Sequence, residues 1–187
     1  LAHAKAGGSI PGMFRGLMAG DIIKVGKTVE LEALDTPGHT MCHICLCAHT
    51  DQPALFSGDT LFNAGAGNCH NGGNAQALYN TFAQQLNKLP ANTRIYPGHD
   101  YIENNLRFTL DREPDNHAAQ SLLNQVRGQN LEAPLVTTLA QEREVNTFFR
   151  LGQASLIDTL RQAFPDLPAQ PDEETVFVKL RELRNTW

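Results

Sequence analysis

The sequence contains no run of 18 apolar residues, which excludes a bilayer-spanning helix. It contains no G-x-S-x-G pattern, so nothing calls for the strand–turn–helix that presents a serine nucleophile. Cationic residues are in the minority. Fifteen lysines and arginines against twenty aspartates and glutamates give a net charge of -5, a balance that argues against a partner of nucleic acid or anionic membrane. Cysteine is scarce, at four residues. Cys42 and Cys45 have C-x2-C spacing, but no second pair follows, and a structural zinc knuckle needs four soft ligands. Residues 41–49 (MCHICLCAH) read instead as a strand with Cys45 and Cys47 on one face as small buried hydrophobes. Cytoplasm is then the expected compartment. The first residues, LAHAKAGGSIPG, lack a signal-peptide pattern. The chain opens on Leu1 rather than Met, so a processed chain or a piece of a longer protein is expected.

What is present supports a folded core. Of 187 residues, 41 % are hydrophobic and 19 % charged, too apolar for a disordered chain and enough for about 1.2 domains. Residues 1–20 read as loop with a short helix near Met13 to Met18. A hairpin around Gly26 follows, then strands over 41–48 and 54–60. The glycine-rich stretch 63–73 reads as too flexible for a regular element. Leu78, Phe82, Leu86 and Leu89 make a helical stripe over 75–89, ended by Pro90. A short strand at 93–96 leads to a helix from Ile102 to Leu110. Asn116 is placed to cap a helix reaching Arg127. Residues from Pro134 through EREVNTFFR (142–150) read as irregular, and two more helices follow, at 155–164 and after the cap Asp172. Strands dominate the first sixty residues and helices the chain beyond 102.

Three segments share one layout: DTPGHT, FSGDT and YPGHD. In each a strand runs into a glycine, and His39, Asp59 or His99 follows directly. Function in layered α/β folds gathers where strands give way to loops. Taken singly, each histidine has an ordinary reading beside a turn, and Asp59 one as a loop cap. Taken together, two imidazoles and a carboxylate are a ligand set for zinc, iron or manganese, and a carboxylate can bridge two metals.

LDTPGHTMCHICL, ALFSGDTLFNAGAG, LPANTRIYPGHDYIENNLRFTLDREPDN and, more loosely, EVNTFFR resemble the metallo-β-lactamase superfamily, specifically its hydroxyacylglutathione hydrolase (glyoxalase II) family. The resemblance implies an α/β four-layer αββα sandwich, of which the second half is present over residues 1–110. It implies a helical substrate-binding domain over 111–187. It implies two divalent metal ions, zinc before iron or manganese, and hydrolysis of a glutathione thioester by a metal-bound hydroxide to give glutathione and a 2-hydroxy acid. His39 and His99 resemble metal ligands, and Asp59 the bridging, catalytic aspartate. Tyr101 resembles a tyrosine that contacts glutathione, and Arg181 and Arg184 are the nearest match to basic residues that meet its glycine carboxylate.

The sequence departs from the family pattern twice. The family's T-H-x-H-x-D-H motif does not occur in it and would lie upstream of Leu1. Each metal then keeps two of its ligands where catalytic zinc takes three, so the 187-residue chain alone is expected to be a poor catalyst with an exposed sheet edge and core. Its partner would be the missing N-terminal segment or a second copy. In the glycine-rich loop, Asn68 and His70 stand where the family has a lysine and a tyrosine for glutathione, which removes a cation. A persulfide dioxygenase-like enzyme and a non-catalytic metallo-β-lactamase-fold module are the alternatives.

Overall fold

A computed structural model describes residues 1–8, 10–129 and 134–187. Among them are nine strands and six α-helices. The strands are β1 (Ala2–His3), β2 (Gly16–Leu17), β3 (Ile22–Val25), β4 (Val29–Asp35), β5 (Ile44–Ala48), β6 (Ala54–Gly58), β7 (Leu61–Phe62), β8 (Gly65–Ala66) and β9 (Arg94–Pro97). The helices are α1 (Ala75–Gln84), α2 (Ile102–Arg112), α3 (His117–Arg127), α4 (Leu139–Val145), α5 (Ala154–Ala163) and α6 (Glu173–Arg184).

One five-stranded sheet organises the site, in the order β3-β4-β5-β6-β9. β3 to β6 pair antiparallel, and β9 returns parallel to β6 after the crossover through α1. Alternation along the strands sends Cys45, Cys47, Leu55 and Ile95 to one face, where they are buried with Leu78 and Phe82 of α1, Leu156 and Leu160 of α5, and Phe177 and Leu180 of α6. This single core takes residues from both sides of position 110. On the opposite face, Leu46, Phe56 and Tyr96 lie in one row of cross-strand partners. That face is covered only in part, and Phe56 is 44 % exposed. Within the αββα layering the structure therefore supplies one sheet with its helical cover. A second cluster joins Ile102 and Leu106 of α2 to Leu122, Leu123 and Val126 of α3. Among the described residues no helix is long and apolar enough to cross a membrane.

Three readings of the sequence are corrected. Residues 13–18 hold no helix. Gly16 and Leu17 pair instead with Ala2 and His3, and a glycine at the centre of such a short stretch gives a helix little support. The glycine-rich stretch is partly regular, because Leu61 and Phe62 pair with Ala66 and Gly65 in a tight hairpin. The stretch 142–150 is also ordered. It holds most of α4, opened by a capping box in which Thr138 and Gln141 bond reciprocally, followed by a 3-10 turn over Thr147–Phe149.

Candidate metal and thioester site

The site forms where β4, β6 and β9 end together. β6 stops at Gly58, whose φ of +50 turns the chain sharply. A Cβ there would meet the His43 ring at 2.8 Å. The turn places Asp59 between two imidazoles. His39 Nε2 lies 3.6 Å from Asp59 Oδ2, and His99 Nε2 lies 3.4 Å from Asp59 Oδ1. One carboxylate thus offers a different oxygen to each histidine, and the three residues that the sequence singled out come together.

The His39 ring has a defined orientation. Its Nδ1 is 2.7 Å from the Asn68 carbonyl oxygen. A carbonyl only accepts, so in the neutral ring the proton sits on Nδ1 and the Nε2 lone pair faces Asp59. Such a bond on the remote nitrogen is what orients ligating histidines in metal sites. Asp59 Oδ1 is buried and has no hydrogen-bond partner among the described residues, a costly state for a carboxylate oxygen unless a cation or donor meets it. These two features fit a bound cation. Among the described residues, however, no group of three or more histidine, cysteine or acidic side chains converges on one point. The donors come as two pairs that share Asp59.

His43 belongs to the site and was missed in the sequence. Its Nδ1 meets the hydroxyls of Thr60 at 2.8 Å and Thr36 at 3.0 Å, and its Nε2 accepts the Asp59 backbone N–H at 3.1 Å. Burial, and then the neighbouring His39, hold its pKa down at about 4 against an opposing pull from Asp59. His43 is thus a neutral brace beneath the Gly58–Asp59 turn. The H-x3-H spacing of His39 and His43 in PGHTMCH was its only sequence signal.

The loop after β8 closes the site. Gly67 packs so tightly that a Cβ would fall 1.8 Å from the Asp59 carbonyl oxygen. Beside it a cleft of about 190 Å³ is lined by Asn68, His70, Tyr101, Arg181 and Arg184 among others. All five residues read as substrate-binding therefore face one cavity. The Tyr101 ring stacks on His99 at 5.4 Å between centroids and meets Phe62 edge-on at 5.2 Å. The two arginines differ. Arg181 is 4 % exposed and gives Nη1 to the carbonyls of Ala66 and Gly67 at 2.8 and 3.1 Å, and Nη2 to Asn185. Burial lowers its pKa to about 10, which still leaves it charged at neutral pH. Arg184 makes one long contact, 3.4 Å to Asn105 Oδ1, and lies over the Phe108 and Trp187 rings.

The chain matches two family models, "Metallo-beta-lactamase superfamily" over residues 20–99 and "Hydroxyacylglutathione hydrolase C-terminus" over residues 100–187. It is 68 % identical over 187 residues to a hydroxyacylglutathione hydrolase of Polaromonas sp. and 65 % identical to one of Nitrosococcus oceani. Each alignment covers all of this chain and 71 % of the relative. Among solved structures, ETHE1 from Myxococcus xanthus superposes with a TM-score of 0.51 at 25 % identity, covering 90 % of this chain and 60 % of that one. A metallo-beta-lactamase from Staphylococcus aureus superposes with a TM-score of 0.52 at 21 % identity, covering 94 % and 44 %, and shows the fold alone. Identity at this level along the whole of the chain, with the shared carboxylate of Asp59 set between two histidines at the strand ends, places the chain in the hydroxyacylglutathione hydrolase family of the metallo-β-lactamase superfamily.

Proposed function

We propose that the site hydrolyses the thioester of an S-2-hydroxyacylglutathione with the help of divalent metal ions, zinc in the first place. The observation that carries this reading is the Asp59 carboxylate, its two oxygens turned to two imidazoles and one of them buried without a hydrogen-bond partner among the described residues. His39 and Asp59 would hold one ion, and Asp59 and His99 the other. Ions bound there would supply Lewis acidity toward a carbonyl oxygen and lower the pKa of water.

The remaining work falls to the chain's own groups. Asn68 holds His39 in the tautomer that leaves Nε2 free. Tyr101, stacked on His99, lines the cleft. Arg184 sits at the cleft without a carboxylate partner among the described residues, and a guanidinium in that position suits the carboxylate of a peptide-like substrate. Arg181 contributes at closer range by fixing the loop carbonyls. His70 and Asn68 line the wall where the family pattern has larger groups, so the cleft has a polar wall without a lysine. The departing thiolate needs no strong acid, because a thiol pKa lies near about 8.5.

Two donors per ion fall short of the three that a catalytic zinc takes. Full occupancy then requires donors beyond His39, Asp59 and His99, from another segment or a second copy. The division into a catalytic part over 1–110 and a helical substrate-binding part over 111–187 belongs to the same proposal. The test is substitution of His39, Asp59 and His99 by alanine in the full chain. Each variant should lose bound metal in elemental analysis and lose thiol release from the thioester in parallel, with no oxygen uptake in the wild type. Normal metal content and unchanged turnover in all three variants would overturn the reading.

A further inference from the structure

Glu142 is fully buried, and no reading of the site uses it. It lies on α4 beneath the β7–β8 turn, where both carboxylate oxygens accept the Ala64 N–H, at 2.9 and 3.1 Å. Oε1 also accepts the Thr137 hydroxyl at 2.6 Å, and Oε2 the Asn146 amide at 2.8 Å. The surrounding groups extend the same grip. The Asn146 amide reaches the Gly65 carbonyl at 3.2 Å, and the Asn63 amide donates to Thr137 Oγ1 at 2.7 Å. Every group that bonds to Glu142 is a donor, and among the described residues none is a cation.

The turn held in this way is strained. Ala64 has a φ of +56, the one non-glycine residue with positive φ among the described residues, and such a conformation persists only where its surroundings over-determine it. From Ala64 the backbone runs four residues to Asn68, gripped throughout. Arg181 of α6 donates to the Ala66 and Gly67 carbonyls, and the Gly67 N–H donates to the Thr60 carbonyl. At the end of this path the Asn68 carbonyl accepts the His39 Nδ1–H.

We infer that Glu142 is a positioning residue for His39. From the helical half of the chain it fixes the β7–β8 turn, and the turn fixes the Asn68 carbonyl that aims the His39 imidazole at Asp59. The inference rests on reading His39 and Asp59 as metal ligands. Its geometry calls for a glutamate, whose two side-chain oxygens both face donors. Three donors converge on two acceptor oxygens, and a glutamine would set an N–H against one of them.

The test uses Glu142→Gln in the full chain with two readouts. One is the His39 ring, followed by proton–nitrogen NMR in metal-free protein. The other is affinity for Zn²⁺ alone, measured by chelator competition. In the wild type His39 should show one tautomer with a protected Nδ1 proton. In Glu142→Gln that proton should exchange freely, the two tautomers should mix, and Zn²⁺ affinity should fall roughly tenfold, as for loss of an outer-shell partner, with unchanged helical circular dichroism. Adding Ala64→Gly should restore part of both readouts, because glycine takes the left-handed turn without Glu142 to enforce it. A folded Glu142→Gln with an unchanged His39 signal overturns the inference. If that variant does not fold, Thr137→Val removes a single donor and should shift the same signal less, and an unchanged signal there overturns the inference equally. A wild type that binds no Zn²⁺ while its His39 ring still responds to Glu142→Gln supports the positioning role and sinks the metal reading instead.

Discussion

A carboxylate sealed among neutral donors responds to pH in the opposite direction to one paired with a cation. Burial pushes the Glu142 pKa up to about 7, against the pull of Thr137, Asn146 and Ala64. Between its unfolded value near 4.5 and about 7, the folded chain holds a proton on this group that the unfolded chain has released. Stability from Glu142 is therefore complete at low pH and declines as pH rises through that window. His43 acts in the reverse sense, since its pKa is lowered, so the slope for the whole chain is a compromise. The informative quantity is the difference between wild type and Glu142→Gln. In urea unfolding the wild type should be the more stable at pH 5, with the gap narrowing by of order 2 kcal/mol toward pH 8. A gap independent of pH would show that Glu142 keeps the same charge throughout. Neither residue was legible as a site residue in the sequence. A glutamate within EREV looks like solvent-facing charge, and only the fold brings it beneath Ala64, 78 positions away. His39, Asp59 and His99 were legible because each follows a glycine at a strand end, where local chemistry and position in the fold coincide.

Elements were legible where their signals are local. Of the stripe Leu78, Phe82, Leu86 and Leu89 read as one helix over 75–89, Leu78 and Phe82 are buried on α1, which stops at Gln84. Leu86 is buried from the 3-10 turn Leu86–Lys88 that follows, and Leu89 is only partly buried. Asn116 and Asp172 were read as caps, and both accept an N–H from three residues on, Ala119 and Thr175. α4 was misread because its inward face carries Glu142 beside Leu139 and Val145, which breaks the apolar rhythm on which a helix is recognised. The two caps also predict different costs. Asp172 is an exposed cap with no partner beyond its own helix among the described residues, so Asp172→Ala should cost about 1 kcal/mol. The Asn116 amide additionally donates to the Glu144 carbonyl of α4 at 3.0 Å and is 6 % exposed. Asn116→Ala removes this tie between helices together with the cap and should cost about 2 kcal/mol. Paired urea titrations check this. Equal losses would mean that Asn116 caps α3 and does not tie α3 to α4.

On the scale of the whole molecule, the two faces of the sheet are covered unequally. Alternation in ICLCA and ALFSG was legible as strand, but it does not say what covers each face. One face is sealed by α1, α5 and α6, and Leu55 there is 0 % exposed. On the other, Phe56 stacks on Tyr96 at 5.4 Å with Leu46 in the same row, all open in part to solvent. An apolar patch of this kind binds hydrophobic probes and promotes association. Adjacent residues of one strand should therefore respond in opposite ways to the same substitution. Leu55→Thr removes core packing and adds a buried hydroxyl, at about 3 kcal/mol or more. Phe56→Thr gives up a stacked ring that already meets water, at about 1 kcal/mol, while keeping a β-branched residue suited to the strand. It should also lower anilinonaphthalene-sulfonate fluorescence and the concentration-dependent mass seen by light scattering, whereas Leu55→Thr should raise both. If Phe56→Thr left dye binding and association unchanged, the exposed apolar character of the molecule would have to lie elsewhere than this face.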